Sequence, residues 1–168
     1  LVDAPGTGLA YGRLTEDTIQ DHALAAVDQA EALHFVERSA PLTVVGFSLG
    51  AAPAARFAAG QERVQSLILL APVLSLQDIA RARQSSFRFL LREELNTSAW
   101  LVQCLRKSHP PVISLFHDTA DRKVPFWMSQ RLRDIAPNKF RLTTVKSINP
   151  DDQHDLLSLC FAEICPEK

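Results

Sequence analysis

Leu42-Thr43-Val44-Val45-Gly46-Phe47-Ser48-Leu49-Gly50-Ala51-Ala52 joins a short, largely apolar run to an alanine-rich segment through a serine bracketed by glycines. An apolar run of this length is what a strand buried on both faces requires. Ala51 to Ala59 reads as a helix, with Pro53 in the first turn, where proline costs least, and Gly60 closing it. Gly46-Phe47-Ser48-Leu49-Gly50 thus lies between strand and helix, the context the G-x-S-x-G pattern needs. The serine of such a turn sits on strained backbone. Glycines two before and two after are expected because side chains there would meet the strand and the helix. The turn would lift the Ser48 hydroxyl above the sheet. It would also aim the Leu49 N–H and the helix N-terminus at one spot, where developing negative charge is stabilised.

The same rhythm continues outward in both directions. Upstream, Thr15 to Arg38 is a long amphipathic stretch in which Ile19, Leu24, Val27, Ala30, Leu33 and Val36 recur at helical spacing, with Thr15 as its cap. Downstream, Val64 to Leu70, Val112 to Phe116 and Phe140 to Val145 read as strands. Pro125 to Ile135 and His154 to Ile164 read as helices. Residues 74–108 are less regular and hold a helix or two, with Phe87, Leu90, Leu91 and Leu95 on one stripe. Strand alternating with helix predicts an α/β chain: a mostly parallel sheet with helices on both faces, in a single domain spanning 1–168. In such sheets the reactive groups gather at the carboxyl ends of the strands.

A serine hydroxyl needs a base, commonly a histidine held by a carboxylate, and the chain order for this turn is Ser, then Asp or Glu, then His. His22 and His34 precede the serine, on the first helix. His109 stands before Pro110-Pro111 at the start of a strand, on the wrong edge. His117 ends a strand on the right edge but lies too close to that strand's own acid loop. His154 follows the last strand and opens the final helix, where the base belongs. Asp118 and Asp121 both lie just past the third strand. Asp121 is favoured and Asp118 is the fallback, while a helix cap is the competing role for Asp121.

Composition narrows the field. With 168 residues, 46% hydrophobic and 22% charged, the chain suits an ordinary globular protein with a real core. A net charge of -1 gives no field for nucleic acid or an anionic membrane, and the apolar runs are too short to span a bilayer. Cys104, Cys160 and Cys165 form neither a disulfide framework nor a zinc pattern, so no metal or cofactor is expected. Gly6-Thr7-Gly8 and Gly12 lack the Lys-Ser/Thr of a phosphate loop. Leu1 to Pro5 shows no secretory signal, so a cytoplasmic location is expected; the missing Met suggests that the natural beginning lies further upstream.

Taken together, these residues resemble the α/β-hydrolase superfamily, and within it the serine aminopeptidase and Bem46-like groups. Asp3-Ala4-Pro5-Gly6-Thr7-Gly8 is similar to the family's D-x-x-G-x-G loop, Gly46 to Gly50 to its nucleophile elbow, and Pro111 to Pro125 to its P-strand-H-G-x-x-D-x-x-V-P segment. The resemblance implies Ser48, Asp121 and His154 as catalytic triad, with Leu49 as oxyanion donor. Asp118 takes the family's glycine, Gln153 the glycine before the histidine, Ala51 a frequent second glycine, and Ala10 a common serine. The family's first strands and its second oxyanion donor would precede Leu1.

The implied activity is hydrolysis of a small-molecule carboxylic ester or thioester through an acyl-serine. A catalytically silent binding module and an acyltransferase are the alternatives. Residues 74–108 fall where the family inserts a short lid. Phe47, Phe126 and Trp127 are candidates for the substrate site, as are Phe87, Phe89, Leu90, Leu91 and Trp100, with core packing the competing role.

Overall fold

A computed structural model of the chain describes residues 11–12, 15–83 and 95–145. Four parallel strands form one sheet, in the order of the chain: β1 (Leu42–Phe47), β2 (Val64–Leu70), β3 (Val112–Asp118) and β4 (Phe140–Val145). The bounds of β2 and β4 match the sequence expectation, and β1 and β3 each run two residues further, to the functional edge. The helices are α1 (Glu16–Ala32), α2 (Ala51–Gly60), α3 (Leu76–Ala82), α4 (Thr97–Leu105) and α5 (Trp127–Asp134). The fold is that of an α/β protein built on a parallel sheet.

Alternation along each strand divides the core into two layers. Val44, Leu67, Leu69, Ile113, Leu115, Phe140 and Leu142 face one side, where they meet Leu24 and Val27 of α1, Ala55 and Phe57 of α2, Leu101 and Cys104 of α4, and Leu132 of α5. Each fully buried leucine here contributes roughly 1.5–3 kcal/mol of apolar transfer. Ile68, Leu70, Phe116 and Val145 gather on the opposite side. There β1, outermost of the described strands, shows more of itself: Val45 is 48% exposed and Phe47 37%. The final helix expected over 154–164 lies outside the described residues.

Local chemistry sets the helix ends. Thr15 caps α1 and exchanges hydrogen bonds with Thr18 in a capping box. The helix stops at Ala32, six residues before the end expected from periodicity. His34 takes a left-handed φ of 58°, and the N–H groups of Phe35 and His34 reach back to the carbonyls of Ala30 and Glu31. This is the Schellman closure, made here without glycine, so the apolar spacing of Leu33 and Val36 was misleading. At the far end of α2 the Lys107 ammonium donates to the carbonyls of Ala58 at 2.9 Å and Gln61 at 2.7 Å. Arg63 ties the loop before β1 to α1 through Glu31 and the carbonyl of Ala40.

The stretch 74–108 divides in two. α4 is a core helix, with Leu101 and Cys104 wholly buried against α2. Trp100 belongs to that packing: Arg56 lies over its ring at 5.2 Å and its indole N–H points to Glu16 at 3.4 Å. It is therefore no lining residue of an acyl site. Phe87, Phe89, Leu90 and Leu91 lie outside the described residues.

Candidate active site

Strand register brings the candidate residues to one rim. Phe47 pairs with Leu70, Leu70 with Phe116, and Phe116 with Thr143. Ser48, Ala71 and His117 therefore emerge side by side at the carboxyl edge. One strand separates β1 from β3, so they stand roughly 10 Å apart at the usual inter-strand spacing.

Ser48 is the first residue past β1 and opens a single 3-10 turn, Ser48–Gly50, that leads into α2. Its φ is 54°, a region costly for a residue with a side chain. Gly46 makes the turn possible. A Cβ there would lie 2.6 Å from Ala54 Cβ, 2.8 Å from the Gly50 carbonyl oxygen and 2.9 Å from Ala51 Cα. Gly50 is different. Its φ is -67°, and no described atom lies within 4 Å of where its Cβ would stand. The expected collision applies to the first glycine and not to the second. Ser48 is half-buried and Leu49 is 47% exposed. The Leu49 N–H lies in the first turn, where helical geometry provides no acceptor within the chain's own turn.

The next strand end supports this turn. Ala71 also has a positive φ, 42°, and its N–H donates to the Phe116 carbonyl at 2.8 Å. The Val73 N–H approaches the Ser48 carbonyl at 3.4 Å. Val73 then packs with Val124 and Met128, and half-buried Leu74, Ile79 and Trp127 join them. An apolar cluster thus links the serine turn to the acid loop.

In that loop Asp121 is almost fully buried and its carboxylate is held by backbone. Oδ1 accepts the N–H groups of Lys123 at 2.7 Å and Val124 at 2.9 Å. Oδ2 faces His117 Nε2 at 3.6 Å, too long for a hydrogen bond but a close polar contact. Burial by itself would raise the Asp121 pKa. His117 and the N–H groups of Val124 and Lys123 outweigh it and hold the carboxyl below its ordinary range. The carboxylate does favour the loop that follows it, as the capping role foresaw, yet Asp121 lies six residues before α5 and caps no helix. Asp118, the fallback, ends β3, is buried, and accepts the Ala120 N–H at 2.8 Å.

His117 is wholly buried. Its Nε2 lies 2.9 Å from the Val124 carbonyl and its Nδ1 2.6 Å from the Ser129 hydroxyl, with Phe126 edge-on at 5.6 Å. A ring so enclosed cannot reach the serine as a base. Sequence reasoning set His117 aside and missed Ser129. The available signal was a lone polar residue beside the apolar stripe Val124, Met128 and Leu132.

Trp127 is half-buried with Arg131 over its ring at 4.9 Å, Phe126 is half-buried, and Phe47 stands at the outer edge of β1. His154 lies outside the described residues, as do Gln153, Ala10 and Asp3 to Gly8. Among the described residues no group of histidine, cysteine and carboxylate side chains is arranged to hold a metal, and no helix is long and apolar enough to cross a membrane. Cys104 is buried, its Sγ directed at the Ala55 carbonyl at 3.4 Å, and burial raises its thiol to about 11, which makes it inert.

A strand, a strained serine turn, a helix and a later acid loop on one rim define a class of parallel-sheet enzymes. The sequence profile of the alpha/beta hydrolase family matches residues 1–161, and this chain belongs to that family. Solved structures agree on the fold. An alpha-beta hydrolase from Vibrio vulnificus superposes with a TM-score of 0.71 at 16% identity, over 96% of this chain and 60% of that one. Est1E from Butyrivibrio proteoclasticus, solved with ferulic acid bound, gives 0.68 at 19%, over 96% and 73%. A serine hydrolase without a lid from Xanthomonas campestris gives 0.61 at 20%, over 95% and 61%. The chain thus spans about three fifths to three quarters of the length of these structures. No curated protein matches significantly.

Proposed function

We propose that the protein is a serine hydrolase that cleaves a carboxylic ester or thioester, with Ser48 as nucleophile, His154 as base and Asp121 as its orienting carboxylate. One observation carries this reading: Ser48 holds a left-handed φ of 54° at the end of a parallel strand and the start of a helix. Costly backbone conformations cluster at functional sites, and this one carries a half-buried hydroxyl at the carboxyl edge of the sheet. The buried, ionised Asp121 on the same rim supports the assignment.

His154 takes the Ser48 proton as Oγ attacks the carbonyl, and the Leu49 N–H stabilises the oxyanion. The protonated imidazole gives that proton to the leaving alkoxide or thiolate, which departs with the C–O or C–S electron pair. Water, deprotonated by His154, then attacks the acyl-serine; the acyl–Oγ bond breaks, His154 returns the proton to Ser48 Oγ, and the acid leaves. The half-buried Ile79 and Trp127, in the cluster between the two loops, suit an apolar acyl group.

A fluorophosphonate probe tests the reading. The folded chain should be labelled on Ser48 and should hydrolyse p-nitrophenyl acetate, and Ser48→Ala should lose both. A folded chain that resists the probe would favour a silent binding module instead.

A further inference from the structure

Behind the acid loop lies a buried pair that acyl transfer leaves unused. Ser129, on α5, is wholly inaccessible, and its hydroxyl has one hydrogen-bond partner among the described residues, His117 Nδ1 at 2.6 Å. A buried O–H with a single partner gives its hydrogen to that partner, because any other orientation leaves the hydrogen unsatisfied. Nδ1 is then an acceptor and carries no proton. The other ring nitrogen lies 2.9 Å from the Val124 carbonyl, which can only accept, so the ring proton is on Nε2. That N–H also faces Asp121 Oδ2 at 3.6 Å, while two backbone N–H groups occupy Oδ1. The opposite tautomer would turn a lone pair toward both the Val124 oxygen and the carboxylate. The edge of Phe126 closes one side of the ring.

We propose that Ser129 is a positioning residue whose hydroxyl, together with the Val124 carbonyl, fixes the tautomer and orientation of His117, so that the His117 N–H holds the Val124 carbonyl and with it the loop that carries the Asp121 carboxylate. The inference deepens the hydrolase reading and rests on Asp121 being its acid. Ser129 touches no substrate and acts through two residues.

The test uses the full chain labelled with nitrogen-15 histidine. Long-range proton–nitrogen correlation should show His117 protonated on Nε2 alone near neutral pH. Ser129→Ala should shift the His117 Nδ1 resonance, by removing the hydrogen bond that nitrogen accepts, and lower kcat on p-nitrophenyl acetate by about tenfold, with KM little changed, as expected for an effect confined to the transition state. Ser129→Thr keeps the hydroxyl and should restore the Nδ1 resonance and most of the rate. His117→Gln supplies an amide donor that needs no serine, so adding Ser129→Ala to it should cost nothing further. A wild-type ring protonated on Nδ1, or on both nitrogens, overturns the proposal. So does Ser129→Ala with a shifted Nδ1 resonance and unchanged kcat. Failure of Ser48 to take the fluorophosphonate would end the hydrolase reading, and the wild-type nitrogen spectrum would still decide whether the tautomer is fixed.

Discussion

The serine turn and the acid loop sit on the same rim but are built by opposite means. Ser48 is held by crowding. A positive φ, a glycine with no room for a methyl group, and an alanine-rich helix pressed against it leave the backbone one path. Asp121 is held by hydrogen bonds. Two backbone N–H groups fix its carboxylate, a buried imidazole lies in polar contact with it, and no residue of that loop takes a positive φ. Shape places the serine, and polar satisfaction places the carboxylate. The two should therefore fail differently when disturbed.

Asp121→Asn tests the polar side and should have the largest effect. The amide keeps the volume but removes the charge that steadies the base, and kcat should fall by about 10⁴, the loss known for such a replacement in a Ser-His-Asp triad. Steady-state kinetics on p-nitrophenyl acetate checks this, and a loss under tenfold would point to Asp118. Gly46→Val tests the steric side. Forcing a branched side chain into a site closed at 2.6 Å should destabilise the fold by about 3 kcal/mol, seen as a lower urea midpoint.

The next effect is on acid stability. The Asp121 carboxyl is held below its ordinary range, so its contribution is complete above the unfolded value of about 3.9 and is lost as pH falls through the lower folded value. Thermal unfolding of wild type and Asp121→Asn should therefore differ most at pH 5 or above, by an amount within about 1–3 kcal/mol, and converge below that window. Curves that stay parallel into strong acid would remove the carboxylate from the account. The smallest effect is at Gly50. With a helical φ and open space, Gly50→Ala should stabilise by about 0.4–1 kcal/mol through the unfolded chain, measured by the same urea titration.

This contrast explains what could be read in advance. Crowding is local, so Gly46, Ser48 and the alanines after it announce the turn within a few letters. The strands were legible because apolar runs such as Val64 to Leu70 have few other uses. Hydrogen-bonded placement is not local. Nothing near Ser129 reveals that its partner is His117, twelve positions back and on another element. Asp121 was favoured over Asp118 by its place before the segment that leads into a helix and by the resemblance of the whole segment; in the sequence both lie past the apolar run, and only the structure puts Asp118 inside β3. Trp100 stayed open between lining and packing because an aromatic in an irregular stretch looks the same whether it meets substrate or Arg56. The end of α1 was missed because a left-handed histidine leaves no glycine to mark it.

The strands lie side by side in the order in which they are made. During synthesis each can dock on the one just completed, without waiting for a distant partner. Along the described strands Ser48 comes with β1, Asp121 only after β3, and residue 154 after β4. On the proposed reading, a chain still on the ribosome would carry its serine shaped but unarmed, and would gain its chemistry only as the last of these segments emerged.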